Sequence, residues 1–449
     1  MDFLDNLALP QSHDHLILLK YLLGLTFTLF LPYLAILTGA SFFSMILKRK
    51  AEKSKDEKYI KLAKDLVNIA ALNRSVVYAL GIIPFLSALF CYIQILQNSS
   101  AGVVSILIAG FITFVFGLIL FFSYKDSFNL KSIFSYLESK NYSIEDVSTK
   151  ETINIYSDEA TKKYKNADIW SFVLFIITAL LVITSIVLAA NPELWGENYS
   201  LYSTIFSVQT VSYLIYFFIL SLVFTLTVGL FYYYKIRKPE QTDPDYLLFV
   251  RDYTVNNGLV LSLLMPVFIL LGIIFTPQIA LSNFSFIVAV VLLVAIMIFA
   301  SLLYLMQKEK QVNYISILLS LVIFFFILNN TKDQIAFSAS SKTQLAKLEA
   351  NFVEYEEEFK SGLGLAIMEI SGEDIYNGKC VACHQFDQVL VGPPYKDVLP
   401  KYENDQEALV QFILNPVKID DSYPAMPNQG LKPNEAQAVA EYLLETYKQ

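Results

Sequence analysis

Eight windows of the chain stay apolar for long enough to cross a lipid bilayer, which takes roughly 17–25 helical residues. They fall near 17–47, 76–96, 102–123, 170–190, 206–234, 258–276, 284–306 and 314–329. The first is longer than a bilayer needs and contains Pro32, so tilt or a kink is expected there. Pro84 and Pro266 should likewise distort the second and sixth spans, with neighbouring helices re-satisfying the freed carbonyls. The polar segments between spans are lopsided in charge. Segments 48–65 and 124–169, with the basic residues after the fifth and seventh spans, hold twenty-one Lys and Arg, whereas 97–101, 191–205, 277–283 and the first 16 residues hold none. Positive charge collects on the cytoplasmic side of such proteins, so both ends of the chain are expected outside. Trp170 and Trp195 at opposite ends of span four, and Tyr232, Tyr233 and Tyr234 ahead of Lys235, suit an aromatic belt at the headgroups. With no short cleavable signal in view, span one is expected to act as the targeting element.

The pattern changes at Thr331. Over 341–360, Leu345, Leu348, Phe352, Tyr355 and Phe359 recur at spacings of 3 and 4, one apolar stripe on a helix capped by Ser340 or Ser341. Such a stripe shows that something covers it. A linker helix packed on its own chain is the plain reading, and a docking helix for another subunit is the sharper one. From about Gly372 the chain reads as a small soluble domain.

Composition agrees with this division. Of 449 residues, 55% are hydrophobic and 16% charged, with 35 Phe and 28 Tyr, more apolar material than a soluble core uses. The formal charge of −8 is segregated. Residues 331–449 carry 10 Lys against 19 Asp and Glu, and that acidic surface favours a basic redox partner and salt-dependent encounter.

The chain has three cysteines and three histidines, and Cys380, Cys383 and His384 form one C-x-x-C-H run. That is the haem attachment spacing: two thiols on one turn add to the haem vinyl groups, and the next histidine faces the iron. A C-x-x-C pair also occurs in zinc and dithiol sites. Zinc would want two more ligands, and no other Cys or His follows Thr331. A thioredoxin-like site would want a βαβ pattern, which is not evident here.

Residues 371–449 resemble the class I, monohaem cytochromes c. Gly372 and Tyr376 stand before the motif, and Tyr442 lies in the last helix, at about 434–447; they match the small and aromatic positions where the first and last helices of that family cross. Independently of family, a glycine admits close helix approach and stacked rings fill a crossing. Gly392-Pro393 resembles the family's proximal turn, whose proline carbonyl accepts the N–H of the iron-bound histidine. Met426, in a proline-bracketed loop, matches the family's sixth ligand; its competitor reading is a packing methionine, and Met368 is the other methionine of this part. The resemblance implies one covalent haem c, with Cys380, Cys383, His384, Pro393 and Met426 as cofactor-binding residues and His384 and Met426 on the iron. A thioether opposite an imidazole stabilises Fe(II) and leaves no open position, so single-electron transfer is the implied chemistry. The segment 396–422 is short for the family, which suggests a compact bacterial form with a more exposed haem edge. Haem attachment outside the bacterial inner membrane, in the periplasm, agrees with the side given by the loop charges.

The membrane part offers less. No window contains a histidine pair for a haem b, and His13 and His15 stand at the entrance of span one, flanking Asp14. They read as surface histidines or, more sharply, as proton acceptors for quinol. Arg74 with Asn73, and Lys20, read as snorkelling residues; Gln94, Gln209 and Tyr213 as interhelical hydrogen-bond groups; and Cys91 as an inert buried thiol. Paired intramembrane carboxylates, a phosphate loop and nucleic-acid-binding signatures are not seen, so no nucleic-acid partner is expected. The expected protein is all-α: an eight-helix transmembrane bundle (1–330), a linker with an amphipathic helix (331–371) and a cytochrome c domain (372–449). Its function is electron transfer within a respiratory or photosynthetic membrane complex, among lipid and other subunits. The alternative is an oxidoreductase whose membrane domain oxidises quinol or a small molecule and reduces its own cytochrome, a layout similar to that of the membrane-bound urate hydroxylases.

Overall fold

The computed structural model describes residues 10–97, 99, 101–139, 147–195, 200–237, 242–362, 371–403 and 405–448. Met368, and Lys140 and Lys238 of the loop-charge count, lie outside the described residues. Helices are the sole regular secondary structure among those described. The chain divides into two compact units, 1–354 and 355–449.

Among the described residues of the first unit, eight helices are long and apolar enough to cross a membrane. They are α1 (His13–Ser54), α3 (Arg74–Ile95), α4 (Val103–Ser139), α5 (Val147–Ala189), α7 (Val208–Ile236), α8 (Pro244–Ile274), α9 (Asn283–Glu309) and α10 (Ile315–Ser340). Between them lie α2 (Glu57–Ala70) and the short α6 (Leu201–Ile205). The expected distortion at Pro84 takes the form of a π turn, Tyr78–Ile82, just ahead of it, because proline lacks an N–H and crowds the preceding turn. Pro32 and Pro266 sit inside continuous α-helix.

Hydrogen bonds tie together the helix ends that the loop charges assign to one side. At the basic end, Lys48 reaches Asp168 at 2.7 Å and the Tyr164 carbonyl at 2.9 Å. Tyr233 and Tyr246 both donate to Asp65 of α2, and Arg251 donates to the Lys310 carbonyl at 2.7 Å. At the opposite end, Gln11 meets Gln94 at 2.9 Å, Lys20 meets Ser338 at 3.3 Å, and Ser340 donates to the Ala190 carbonyl at 2.8 Å.

Several helices overrun their apolar windows. Helices α4 and α5 extend past the apolar windows at the basic end and form the most extensive helix pair. Helix α2 lies within the basic segment 48–65 and beyond; Asp56 caps it and Leu62, Ala63, Leu66 and Val67 are buried. Helix α10 runs through Thr331 to Ser340, since Lys332 and Asp333 pair with each other at 3.2 Å rather than ending the span. Helix α11 (Lys342–Gly362) begins at once. The Ser341 carbonyl accepts from Leu345 N at 2.9 Å, but its hydroxyl makes no hydrogen bond and that of Ser340 donates to the Ala190 and Ala336 carbonyls, so the expected serine side-chain cap is not formed. The apolar stripe is divided: Leu348 is buried and Leu345 packs on the bundle core, while Tyr355 and Phe359 are exposed.

The second unit has its own core, centred on Leu399, Val439, Ala440 and Leu443. Its elements are α12 (372–380, closing in a π turn over Tyr376–Cys380), α13 (Tyr395–Val398), α14 (Gln406–Leu414) and α15 (Pro433–Tyr447).

Candidate cofactor site

Helix α12 starts where the Ser371 hydroxyl accepts from Asp374 N at 3.1 Å, with Glu373 and Asp374 in its positively polarised first turn. A Cβ on Gly372 would overlap the Ala438 carbonyl oxygen and lie 2.6 Å from Tyr442 Cβ, so only glycine admits α15 this close. Tyr376 fills the crossing, its ring centroid 5.7 Å from that of Tyr442 and 5.6 Å from that of Phe386. These are the positions singled out from the sequence, and they set where α12 ends.

At that end Cys380 is buried, and the backbone turns so that His384 N donates to the Cys380 carbonyl at 2.9 Å. The thiols of Cys380 and Cys383 are both free. Burial pushes the Cys380 thiol up from its ordinary range, with the Tyr395 hydroxyl working against the shift. The Tyr395 phenol is pushed up by its own burial and then by Cys380.

His384 Nδ1 lies 2.9 Å from the Pro393 carbonyl oxygen. A carbonyl only accepts, so Nδ1 is the nitrogen that carries a proton, and Nε2 is the one the neutral ring would offer as a ligand. Neighbours hold the ring in place: Tyr395 packs beside it at 5.1 Å between centroids, and a Cβ on Gly392 would lie 2.8 Å from both ring nitrogens. Gly392 N donates to the Cys383 carbonyl at 2.9 Å and Tyr395 N to the Gln385 carbonyl at 2.9 Å, which clamps the Gly-Pro turn onto the motif.

The loop with Met426 is fastened separately. Asp420 accepts from Ser422 N at 2.8 Å, and this bond holds its carboxyl below the usual aspartate range. Asn428 donates to the Leu414 carbonyl at 2.9 Å and accepts from Gly430 N at 2.8 Å, with Gly430 at φ +64°. Lys379, beside the first cysteine, donates to the Gln429 carbonyl at 3.1 Å and ties the two loops.

The outcome is one cleft of roughly 1400 Å3, counted with its opening, lined by Cys380, Cys383, His384, Pro393 and Met426. All five residues singled out from the sequence meet there. Val391, Leu399, Phe412, Ile413 and Leu431 contribute apolar wall. Two free thiols, an imidazole with one nitrogen spoken for, a thioether and greasy walls fit a flat apolar macrocycle with an iron at its centre. Among the described residues, no group of three or more His, Cys, Asp and Glu side chains converges as a metal site. Gly392 is singled out by the sequence as part of the Gly-Pro turn, whereas Lys379, Tyr395, Asp420 and Asn428 are not; the Pro-Pro-Tyr run after Gly392 is the one available signal for them.

Residues 369–443 match the family described as cytochrome c oxidase, cbb3-type, subunit III. Over 79 residues the chain is 35% identical to cytochrome c-551 of Pseudomonas denitrificans, covering 16% of this chain and 95% of that protein. It is 38% identical over 71 residues to cytochrome c-551 of Pseudomonas aeruginosa, 15% of this chain and 68% of that protein. Against cytochrome c-552 of Hydrogenobacter thermophilus it is 33% identical over 88 residues, 18% and 88% of the two chains. Through its C-terminal domain, the chain belongs to the class I cytochromes c.

Proposed function

We propose that the chain is a multi-pass, membrane-anchored monohaem cytochrome c that passes single electrons on the periplasmic side of a bacterial inner membrane, as a subunit of a respiratory or photosynthetic complex. The observation that carries this reading is the convergence of Cys380, Cys383, His384 and Met426 on one apolar cleft. Bound haem supplies an iron that cycles between Fe(II) and Fe(III). The protein's residues do the rest. Cys380 and Cys383 would hold the group covalently, and His384 would bind its iron, with the imidazole oriented by the Pro393 carbonyl at Nδ1. Met426 would offer its thioether to the iron, and the apolar walls would exclude water, which also tunes the potential.

Supporting the subunit role, the matched family is described as an oxidase subunit. The basic loops, and the end of α10 at Ser340 on the side opposite to them, support a periplasmic cytochrome domain (372–449) joined to the bundle (1–330) by the linker (331–371). Its acidic surface suits a basic partner. Potentiometric titration of the purified full chain tests the reading: a single one-electron wave with a c-type reduced band is expected, and absence of any reducible chromophore refutes it.

The alternative, a membrane domain that oxidises a substrate and feeds its own cytochrome, is favoured by one observation, an apolar-walled cavity within the bundle that a small cluster of polar groups enters.

A further inference from the structure

That cavity takes in about 660 Å3 when its opening is counted with it. It lies among α1, α5, α7, α8 and α10, and Leu31, Ile183, Leu220, Phe268 and Phe326 give it apolar walls. Polar groups enter from two helices alone, Tyr213 and Tyr216 of α7 and Asn329, Lys332 and Asp333 of α10. Lys332 Nζ stands 3.2 Å from Asp333 Oδ1, donates to the Tyr213 hydroxyl at 3.0 Å, and lies 4.2 Å from the centre of that ring. Asn329 donates to the Tyr216 hydroxyl at 2.8 Å. The Lys332 and Asp333 side chains are 12% and 17% exposed.

The pair itself lies within one helix, and its tie to α7, from Lys332 to the Tyr213 hydroxyl, does not need a carboxylate beside it. Taking both charges out of water costs more than apolar side chains would. Charged residues in membrane spans belong as a rule to ligand or proton sites. The chemistry of the cluster narrows the ligand. An ammonium and phenol hydroxyls are donors; the carboxylate beside them accepts only. An oxygen that is a carbonyl in one redox state and a hydroxyl in the other finds a partner in both. The pair is self-neutralising, which disfavours a free ion. The aliphatic and aromatic walls suit a ring with a hydrocarbon tail, and would leave the hydroxyls of a sugar unmatched.

We propose that this cavity binds the head group of a membrane quinone, its oxygens held by Lys332, Asp333 and Tyr213. The inference rests on the chain being an electron carrier and names the class of its lipid-soluble partner. It also moves the quinol candidate away from His13 and His15. Those two are exposed, His13 bonds to Glu349 at 3.2 Å, and neither lines the cavity.

The test uses the full chain with its bound haem in quinone-free lipid nanodiscs. Binding of decylubiquinone and of a short-tailed menaquinone is measured by calorimetry, and an azidoquinone is photo-crosslinked and mapped. Saturable binding of at least one quinone is expected, with crosslinks in α7 and α10. Lys332→Met/Asp333→Leu should weaken that binding by about tenfold or more, Tyr213→Phe by less, and His13→Ala not at all, with melting temperature and haem absorbance unchanged. Should the double variant fail to fold, Tyr213→Phe and Asn329→Leu decide. Lack of saturable binding to the parent chain, undiminished binding in the variants, or crosslinks confined to other helices overturns the proposal. A preparation without haem defeats the electron-carrier reading instead, and is seen separately in its spectrum.

Discussion

Gly372→Ala is the substitution whose cost the geometry fixes most closely. The added methyl carbon would sit 2.6 Å from Tyr442 Cβ and overlap the Ala438 carbonyl. Carbon atoms in contact prefer about 3.5–4.0 Å, so α12 and α15 must part by about 1 Å. Backbone on one side leaves no side chain to swing away. Overpacking of this kind costs about 1–3 kcal/mol, and alanine returns about 0.5–1 kcal/mol by restricting the unfolded chain and favouring helix. The net is a loss of up to about 2.5 kcal/mol and about 1 kcal/mol at mid-range, which is a fall of roughly 4–8 °C in the melting temperature of a domain this size. Gly378 is an internal control on the same helix, because a Cβ there meets nothing within 4 Å. The assay is thermal unfolding of the full chain in detergent, followed through the haem absorbance so that only the C-terminal domain reports. Gly372→Ala should melt lower and Gly378→Ala at or slightly above the parent. Equal melting of the two variants would refute the close-crossing argument.

Three further outcomes follow from the same contacts. Gly392→Ala places a carbon 2.8 Å from both nitrogens of the His384 ring, so the imidazole must leave the Pro393 carbonyl; a high-spin, carbon-monoxide-binding haem is expected, and an unchanged low-spin spectrum counts against the contact. Asp420 has its pKa lowered in the folded protein, so the stability it gives is present above the ordinary aspartate value of about 3.9 and is lost as pH falls through the lower folded value. Asp420→Asn should therefore melt below the parent near neutrality and converge with it in strong acid, and parallel curves across an acid titration would show that the Ser422 bond contributes nothing. At the basic end of the bundle, the Lys48 and Asp168 side chains are 10% and 1% exposed; Lys48→Met, which strands a buried carboxylate, should cost about 3–5 kcal/mol. The Lys48→Met/Asp168→Leu pair should cost far less in a detergent unfolding assay, and equal losses would mean that the charges are solvated.

What could be read from the sequence is what rests on local, uninterrupted constraints. A bilayer demands consecutive apolar residues, so all eight spans were visible. Two thiols and an imidazole within one turn form a local C-x-x-C-H run, so Cys380, Cys383 and His384 are legible as a candidate haem attachment site. Harder to see was structure that continues past those constraints. The Leu62, Ala63, Leu66 and Val67 stripe of α2 is hidden among lysines that were counted only as a basic loop. Lys332 and Asp333 looked like the first polar residues after a span, because nothing in the sequence says that two adjacent charges neutralise each other inside helix α10. The supports of the cofactor cleft were invisible for another reason. Lys379 to Gln429 and Asn428 to Leu414 are contacts to backbone carbonyls, and a carbonyl leaves no mark on residue identity.

The haem content of the intact chain tests the central claim most directly. Full-length protein, produced with a haem-ligation system, is extracted with acidified acetone, assayed as the pyridine haemochrome and weighed by mass spectrometry beside Cys380→Ser/Cys383→Ser. The expected result is one haem per chain that resists extraction in the parent and is lost from the double variant. A parent that yields its haem to the solvent, or carries none, would contradict it.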